Sequence, residues 1–390
     1  MMISLAELSN RQKKFQETLH SLRLTGAILF RPEHIKYFTN FIFLPTERPV
    51  ALIVPAESAP LILLPKLEEE HFIAQVPWMT QIHVYREYPG KTHPMTYLNK
   101  ILDKNKLSDG TIGCDNDGYL PQNGYRGPTL SSSSQVSVKD ISQIIDQMRL
   151  VKSDEEIAIL RQCGLWGSIV HENLQHSMVA GKSEHEISRL AEEKTYLKIE
   201  DEALSNKSLS RMSVHASFRS GTRTSMPHAA MGGRKLSQGD ILVTYCQGKL
   251  SGYMTELERT MFLGEPDDEK KSYFGIVRKA QLIALGLIEP GTRCSQVDEA
   301  VNEFFIKQNV FQYSQHHQGH GLGIEFHERP FLDTGDDTVI QSGMVFSVEP
   351  GLYIEGLGGF RHSDTVLVTD SGAEILTPYP SEIRDLIIDQ

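Results

Sequence analysis

The chain has no apolar stretch approaching the ~18 residues that a membrane-spanning helix requires, so no membrane segment is expected. It also has no run of basic residues interleaved with aromatics. With 39 Lys and Arg against 50 Asp and Glu, a net charge of -11, nucleic acid is not an expected partner. The acidic balance suits solubility and mildly favours cationic ligands. Cysteine is scarce: Cys114, Cys163, Cys246 and Cys294 are scattered without a Cys-x-x-Cys pair, and read as free or buried thiols in a reducing compartment. Arg11, Lys13, Lys14 and Glu17 break up the first twenty residues, so a signal peptide is not expected and the default location is cytoplasmic. Low-complexity and short-period repeats are absent too.

The 390 residues, 39% hydrophobic and 23% charged, suit a globular protein of two or three domains with a substantial core. Residues 10–24 have helical spacing. Short apolar runs at 26–30, 50–54 and 61–64, the last two bounded by Pro55 and Pro60, read as strands. A helix over 67–75 and a strand over 82–85 follow. This alternation predicts an α/β domain, assigned to residues 1–135, closed by a polar connector from Ser131 to Gln135.

A second, larger domain, 150–390, opens on Ser153-Asp154-Glu155-Glu156. There a serine can cap the helix while the glutamate three residues on reaches back to the cap. Ser183-Glu184-His185-Glu186 repeats that device. Strands with glycine turns (241–247 and 251–263), helices (267–288 and 296–308) and further strands (343–349, 351–354 and 360–369) predict helices on a largely antiparallel sheet.

Four blocks carry the chemistry: Pro227-His228-Ala229; Gly239-Asp240 with the strand running to Thr255-Glu256-Leu257-Glu258-Arg259-Thr260; Gly319-His320-Gly321 through His327-Glu328-Arg329-Pro330; and Gly343 through Glu349-Pro350-Gly351, then Gly359-Phe360-Arg361-His362-Ser363-Asp364. In order, spacing and content they resemble the pita-bread hydrolases: prolidase, X-Pro aminopeptidase, methionine aminopeptidase, creatinase and ectoine hydrolase. The resemblance implies an α+β fold. A C-terminal pita-bread domain would follow a smaller N-terminal α/β domain of the creatinase/prolidase type.

In metal-dependent members two divalent ions are held by Asp, Asp, His, Glu and Glu. The resemblance places Tyr245, Glu256, His320, Glu349 and Ser363 at those positions. Neutral hydroxyls are poor ligands for hard divalent ions, so a dinuclear site is not expected. The sequence is read as closest to the metal-independent, creatinase-like members, with no metal ligand and no cofactor; a single ion on Glu256, His320 and Glu349 is the alternative. Glu256 and Glu258 lie two apart on a strand and can face one side. With Glu349 they are expected to cradle a cationic substrate, as creatinase does a guanidinium.

The resemblance makes His228 the catalytic base, which takes a proton from water and returns it to the leaving nitrogen. Glu258, Glu349, His320 and His327 complete the expected catalytic set. Arg48, Glu256, Arg329, Arg361 and Tyr245 are expected to bind substrate, although Arg329 and Arg361 could equally neutralise the glutamates. Arg48 matches in approximate position a creatinase arginine contributed by the partner subunit, which implies a homodimer. His316 and His317 are read as surface residues. The expected function is metal-free, His-assisted water attack on a C–N bond of a small polar molecule, a guanidino acid or cyclic amidine. The alternatives are an X-Pro dipeptidase or aminopeptidase with an altered metal site, and a non-enzymatic relative that binds peptides or proteins. Changes from creatinase at Tyr245, Glu256 and Ser363 put creatine itself in doubt.

Overall fold

A computed structural model describes residues 2–134 and 136–389; Gln135, assigned to the polar connector, lies outside them. The chain forms two compact units, Met2–Met148 and a second beginning at Arg149.

The first unit is an α/β layer built on six strands: β1 (Gly26–Leu29), β2 (Ala51–Pro55), β3 (Leu61–Pro65), β4 (Ile82–Tyr85), β5 (Thr111–Cys114) and β6 (Ser137–Asp140). Their order is β4-β3-β2-β1-β5-β6, antiparallel at β1–β2 and β2–β3 and parallel elsewhere. Every residue of β1, β2 and β3 is buried. Covered on both faces, these strands show continuous apolar runs rather than alternation. Helices Pro32–Thr39 and Pro94–Lys104, not singled out from the sequence, both start on proline. In the first turn its missing N–H has no partner to lose and its fixed φ already suits a helix.

The second unit opens with helix Asp154–Ser177, whose capping box is complete: Glu156 N donates to Ser153 Oγ and Ser153 N to Glu156 Oε2. Helix Glu184–Ser205 starts in the same way. Both lie against an eleven-stranded sheet. Its strands are β7 (Met212–Ser220), β8 (Ile241–Leu250), β9 (Tyr253–Met254), β10 (Leu257–Glu258), β11 (Thr260–Leu263), β12 (Gly319–Gly321), β13 (Glu328–Leu332), β14 (Val345–Val348), β17 (Ser363–Thr369), β18 (Gly372–Ile375) and β19 (Ile387–Ile388); β15 (Gly351–Ile354) and β16 (Gly358–Arg361) form a separate hairpin. The main path runs β13-β12-β14-β17-β10-β8-β11-β19, and only its β11–β19 pair is parallel. Helix and sheet meet closely at Gly248 of β8, where a Cβ would fall 2.1 Å from the Cys163 carbonyl oxygen. Bulk at that point would push β8, and with it Tyr245, off the helix.

All four cysteines are buried free thiols. Among the described residues no helix is long and apolar enough to cross a membrane.

Candidate active site

A cavity of about 1260 Å³ opens in the second unit. Tyr245, Glu256, Glu258, Glu349, Arg361, His228 and His327 all line it, so the structure brings most of the expected residues together.

The Thr255–Thr260 segment sits at its floor. Alternate residues face opposite ways: Glu256 and Glu258 point into the cavity, while Arg259 is fully buried behind them. Arg259 donates to the carbonyls of Ser363 (2.9 Å) and Pro380 (2.8 Å) and to Asp364 Oδ1 (2.9 Å), which stitches β10 to β17. Thr365 Oγ1 accepts from Glu256 N and donates to Glu256 O. The glutamates are thus fixed from the backbone outward.

His320 projects from β12, and its flanking glycines reflect the lack of room there. A Cβ on Gly319 would lie 2.0 Å from the Ser347 carbonyl oxygen, and one on Gly321 2.4 Å from that of Arg329. His320 Nδ1 donates to the Gly321 carbonyl at 3.0 Å, which turns Nε2 toward the carboxylates. Nε2 is 3.2 Å from Glu349 Oε1 but not aligned for a hydrogen bond, so this buried atom has no hydrogen-bond partner among the described residues. One ligand atom each from Glu256, His320 and Glu349 lie within 4.8 Å of one another.

The charges in this cluster oppose one another. Burial, then the Glu349 charge, raises the Glu256 pKa. Burial also works against charge on Glu349 and His320, but their mutual attraction outweighs it. Glu349 is held near 2, and His320, drawn by both glutamates, rises to about 9. Two carboxylates around an imidazole nitrogen whose other nitrogen is tied to a carbonyl suit a divalent ion. The expectation of no metal is not supported: the donor set fits one. Ion uptake must displace the His320 proton. Apparent affinity is therefore expected to rise about tenfold per pH unit below the His320 pKa and to level off above about 9, as measured by competition titration. A flat profile between about pH 6 and 8 would mean that His320 carries no extra proton in the ion-free site.

The two hydroxyl residues behave differently from ligands. Ser363 Oγ donates to Glu256 Oε1 at 2.7 Å, as does Ser347 Oγ, so both orient that carboxylate. The Tyr245 ring packs edge-on against Phe326, and burial, then the charges of Glu256 and Glu258, keeps its hydroxyl protonated.

Glu258 is not an open cradle for a substrate cation. Arg361 Nη2 donates to its Oε1 at 2.5 Å and Arg361 Nε pairs with Oε2, both groups buried. Arg361 Nη1 continues to Tyr353 Oη (3.3 Å), which donates to His316 Nε2 at 2.8 Å. His316 is accordingly part of the cavity wall, as is His317, and neither is a surface residue. His327 stacks on His320 with ring centroids 3.8 Å apart. Burial, then the His320 charge, lowers its pKa to about 4, so it is neutral at physiological pH. His228 is exposed, in a turn closed by Ala229 N to Met226 O.

One expected substrate ligand, Arg329, is elsewhere. Arg329 does not reach the cavity wall: its side chain is half exposed, 3.9 Å from Asp336. Arg48 lies in the first unit, where Glu47 and Glu87 hold its guanidinium. Sequence reasoning missed Ser347, Tyr353 and His316; the Gly351–Tyr353 run after Glu349 was the available signal for Tyr353.

The chain is similar over 380 residues, 97% of its length and 99% of the other's, to a putative dipeptidase, YkvY, from Bacillus subtilis, at 29% identity. Its fold matches an Xaa-Pro dipeptidase from Bacillus anthracis (TM-score 0.82, 23% identity, 98% of this chain and 100% of the other). It also matches the dipeptidase PepE from Mycobacterium ulcerans (TM-score 0.83, 23% identity, all of both chains). The N-terminal domain model of creatinase and prolidase matches residues 11–151. These similarities overturn the expected metal-free amidinohydrolase, and the special kinship to creatinase is not confirmed. The physical reason is on view at Glu258, whose cation is Arg361 of the chain itself. The fold is the pita-bread α+β fold with its N-terminal companion, and the protein is a hydrolase. With the model of metallopeptidase family M24 matching residues 158–370, more than half of the chain, the protein belongs to that family.

Proposed function

We propose that the protein is a metal-dependent dipeptidase of the X-Pro type that works with one divalent ion on Glu256, His320 and Glu349. The observation that carries this reading is the convergence of those three ligand atoms, within 4.8 Å, in a metallopeptidase-family chain, with Glu256 and Glu349 on the cavity wall and His320 buried behind them. A divalent ion bound there supplies Lewis-acid polarisation of the scissile carbonyl and makes water a stronger nucleophile at neutral pH.

The chain's own groups supply the rest. Neutral His327, held by its stack on His320, donates a hydrogen bond to the substrate carbonyl oxygen. As water adds to the carbonyl carbon and the C–N bond breaks, the leaving nitrogen must gain a proton. His228, at the cavity wall, takes the proton that the attacking water loses and delivers it to that nitrogen. The Glu258–Arg361–Tyr353–His316 chain fixes the opposite wall and leaves no free carboxylate at Glu258 for a guanidinium substrate.

A substrate panel tests the reading. Manganese-, cobalt- or zinc-loaded protein is expected to hydrolyse X-Pro dipeptides and to leave guanidino acids and cyclic amidines intact. Turnover of the latter without any peptide hydrolysis would refute it.

A further inference from the structure

Strand β7 runs along the cavity with His215, Ser217 and Arg219 at alternate positions, all three on the cavity wall. Ser217 is the ladder partner of Tyr245 on β8, so these β7 side chains share the sheet face that carries Tyr245. The other arginines on the wall are matched: Arg223 with Glu184 and Arg361 with Glu258. Arg219 has no carboxylate in ion-pair range among the described residues. Its Nε donates to the Ala229 carbonyl, its Nη1 lies 3.5 Å from Ser217 Oγ, and its Nη2 makes no hydrogen bond. Burial, the largest influence on it, disfavours its charge, and the nearby Glu258 offsets this only in part. A half-buried guanidinium with one edge tied to the backbone presents its Nη1/Nη2 fork, the geometry that accepts a carboxylate through two parallel hydrogen bonds.

We propose that Arg219 is the subsite for the C-terminal carboxylate of the peptide, which restricts the enzyme to substrates whose scissile bond is the last one. The inference rests on the dipeptidase reading and adds the reason for the length limit. Its geometry is coherent with the proton path: the carbonyl that Arg219 grips belongs to Ala229, the residue after His228. In a dipeptide the terminal carboxylate and the leaving nitrogen share one α-carbon, so anchoring the first at Arg219 sets the second beside His228. Ser217 supplies a third donor on the same strand face.

The test compares a dipeptide with its C-terminal amide on metal-loaded wild type, Arg219→Gln and Arg219→Lys. Arg219 also steadies the His228 turn, so kcat can fall for both substrates alike; the acid-to-amide ratio of kcat/KM isolates the subsite. Wild type is expected to prefer the acid on the order of 50-fold, chiefly through KM, with Arg219→Gln losing that preference and Arg219→Lys retaining part of it. Thermal melts establish that each variant is folded, and Arg219→Lys carries the comparison if the glutamine variant is not. A preference that survives in both variants, or is missing from wild type, overturns the subsite while leaving a dipeptidase. If wild type cleaves neither substrate, the dipeptidase reading falls, and the subsite with it.

Discussion

Chelation is expected to abolish dipeptide hydrolysis by wild type, and one equivalent of divalent ion per chain is expected to restore it. Loss of an ion that contributes several kcal/mol to the transition state corresponds to a fall of about 10³-fold or more. The stoichiometry follows from the hydroxyl residues. Burial and the charges of Glu256 and Glu258 keep the Tyr245 proton in place, and Ser363 has already given its hydrogen bond to Glu256. Neither adds negative charge to offset the repulsion of a second ion, which would share Glu256 and Glu349 alone. Glu349→Ala is expected to lose both activity and bound metal, because His320 then faces a single carboxylate. Two equivalents of tightly held metal, measured by elemental analysis on native protein, would contradict the mononuclear site.

The largest effect on stability is expected at Glu328, next to His327 in the chain. Its carboxylate accepts from Lys152 Nζ at 2.7 Å and pairs with Arg149 Nη2, while Arg149 Nη1 reaches Glu325 Oε2 at 2.7 Å. Glu328, Lys152 and Arg149 are all buried. Burial opposes the charge on Glu328, but the two cations prevail and its pKa is lowered. Glu328→Ala would strand the buried Lys152 and leave Arg149 to Glu325, and the expected cost is about 3–5 kcal/mol, read from the shift of the urea midpoint. Glu328→Gln, which keeps the hydrogen-bond geometry, should cost less. The depressed pKa also fixes the sign with pH. The stabilisation from Glu328 is present above the ordinary carboxylate range and is lost as pH falls through its lowered value, so the difference between wild type and Glu328→Ala should shrink in acid. A loss under about 1 kcal/mol would mean that the network relaxes around the gap.

Much of the fold was legible because its signals are local. The serine–glutamate pairs at 153/156 and 183/186 are complete within four residues, and each opens a helix in the structure. The helix read over 267–288 is found at Asp268–Leu287, and the strand read over 82–85 at Ile82–Tyr85. Helices Pro32–Thr39 and Pro94–Lys104 could have been found from their opening prolines. The short helix Leu130–Ser133, where a connector was expected, could not, since four mostly polar residues carry no period.

The site was legible as a set of residues but not as a set of pairings. Glu258 reads the same in sequence whether its cation is a substrate or Arg361, 103 positions away, and only the β10–β17 register decides between them. His316 could be taken for a surface residue because nothing near it in sequence announces Tyr353 as its donor. The lack of a carboxylate at Arg219 becomes visible only when the neighbouring arginines have been matched.

The buried cysteines give the protein a built-in stopwatch. Only a thiolate reacts quickly with alkylating or disulfide reagents. Burial, with nearby acidic charge, lifts the Cys114 and Cys294 thiols to about 12 and Cys246 well above its usual value. Modification at these sulfurs therefore has to wait for the surrounding structure to open. Cys114 belongs to the first unit and the other three to the second. The rate at which each sulfur is trapped, resolved by peptide mass, would time the breathing of the two halves independently, with no label or mutation introduced.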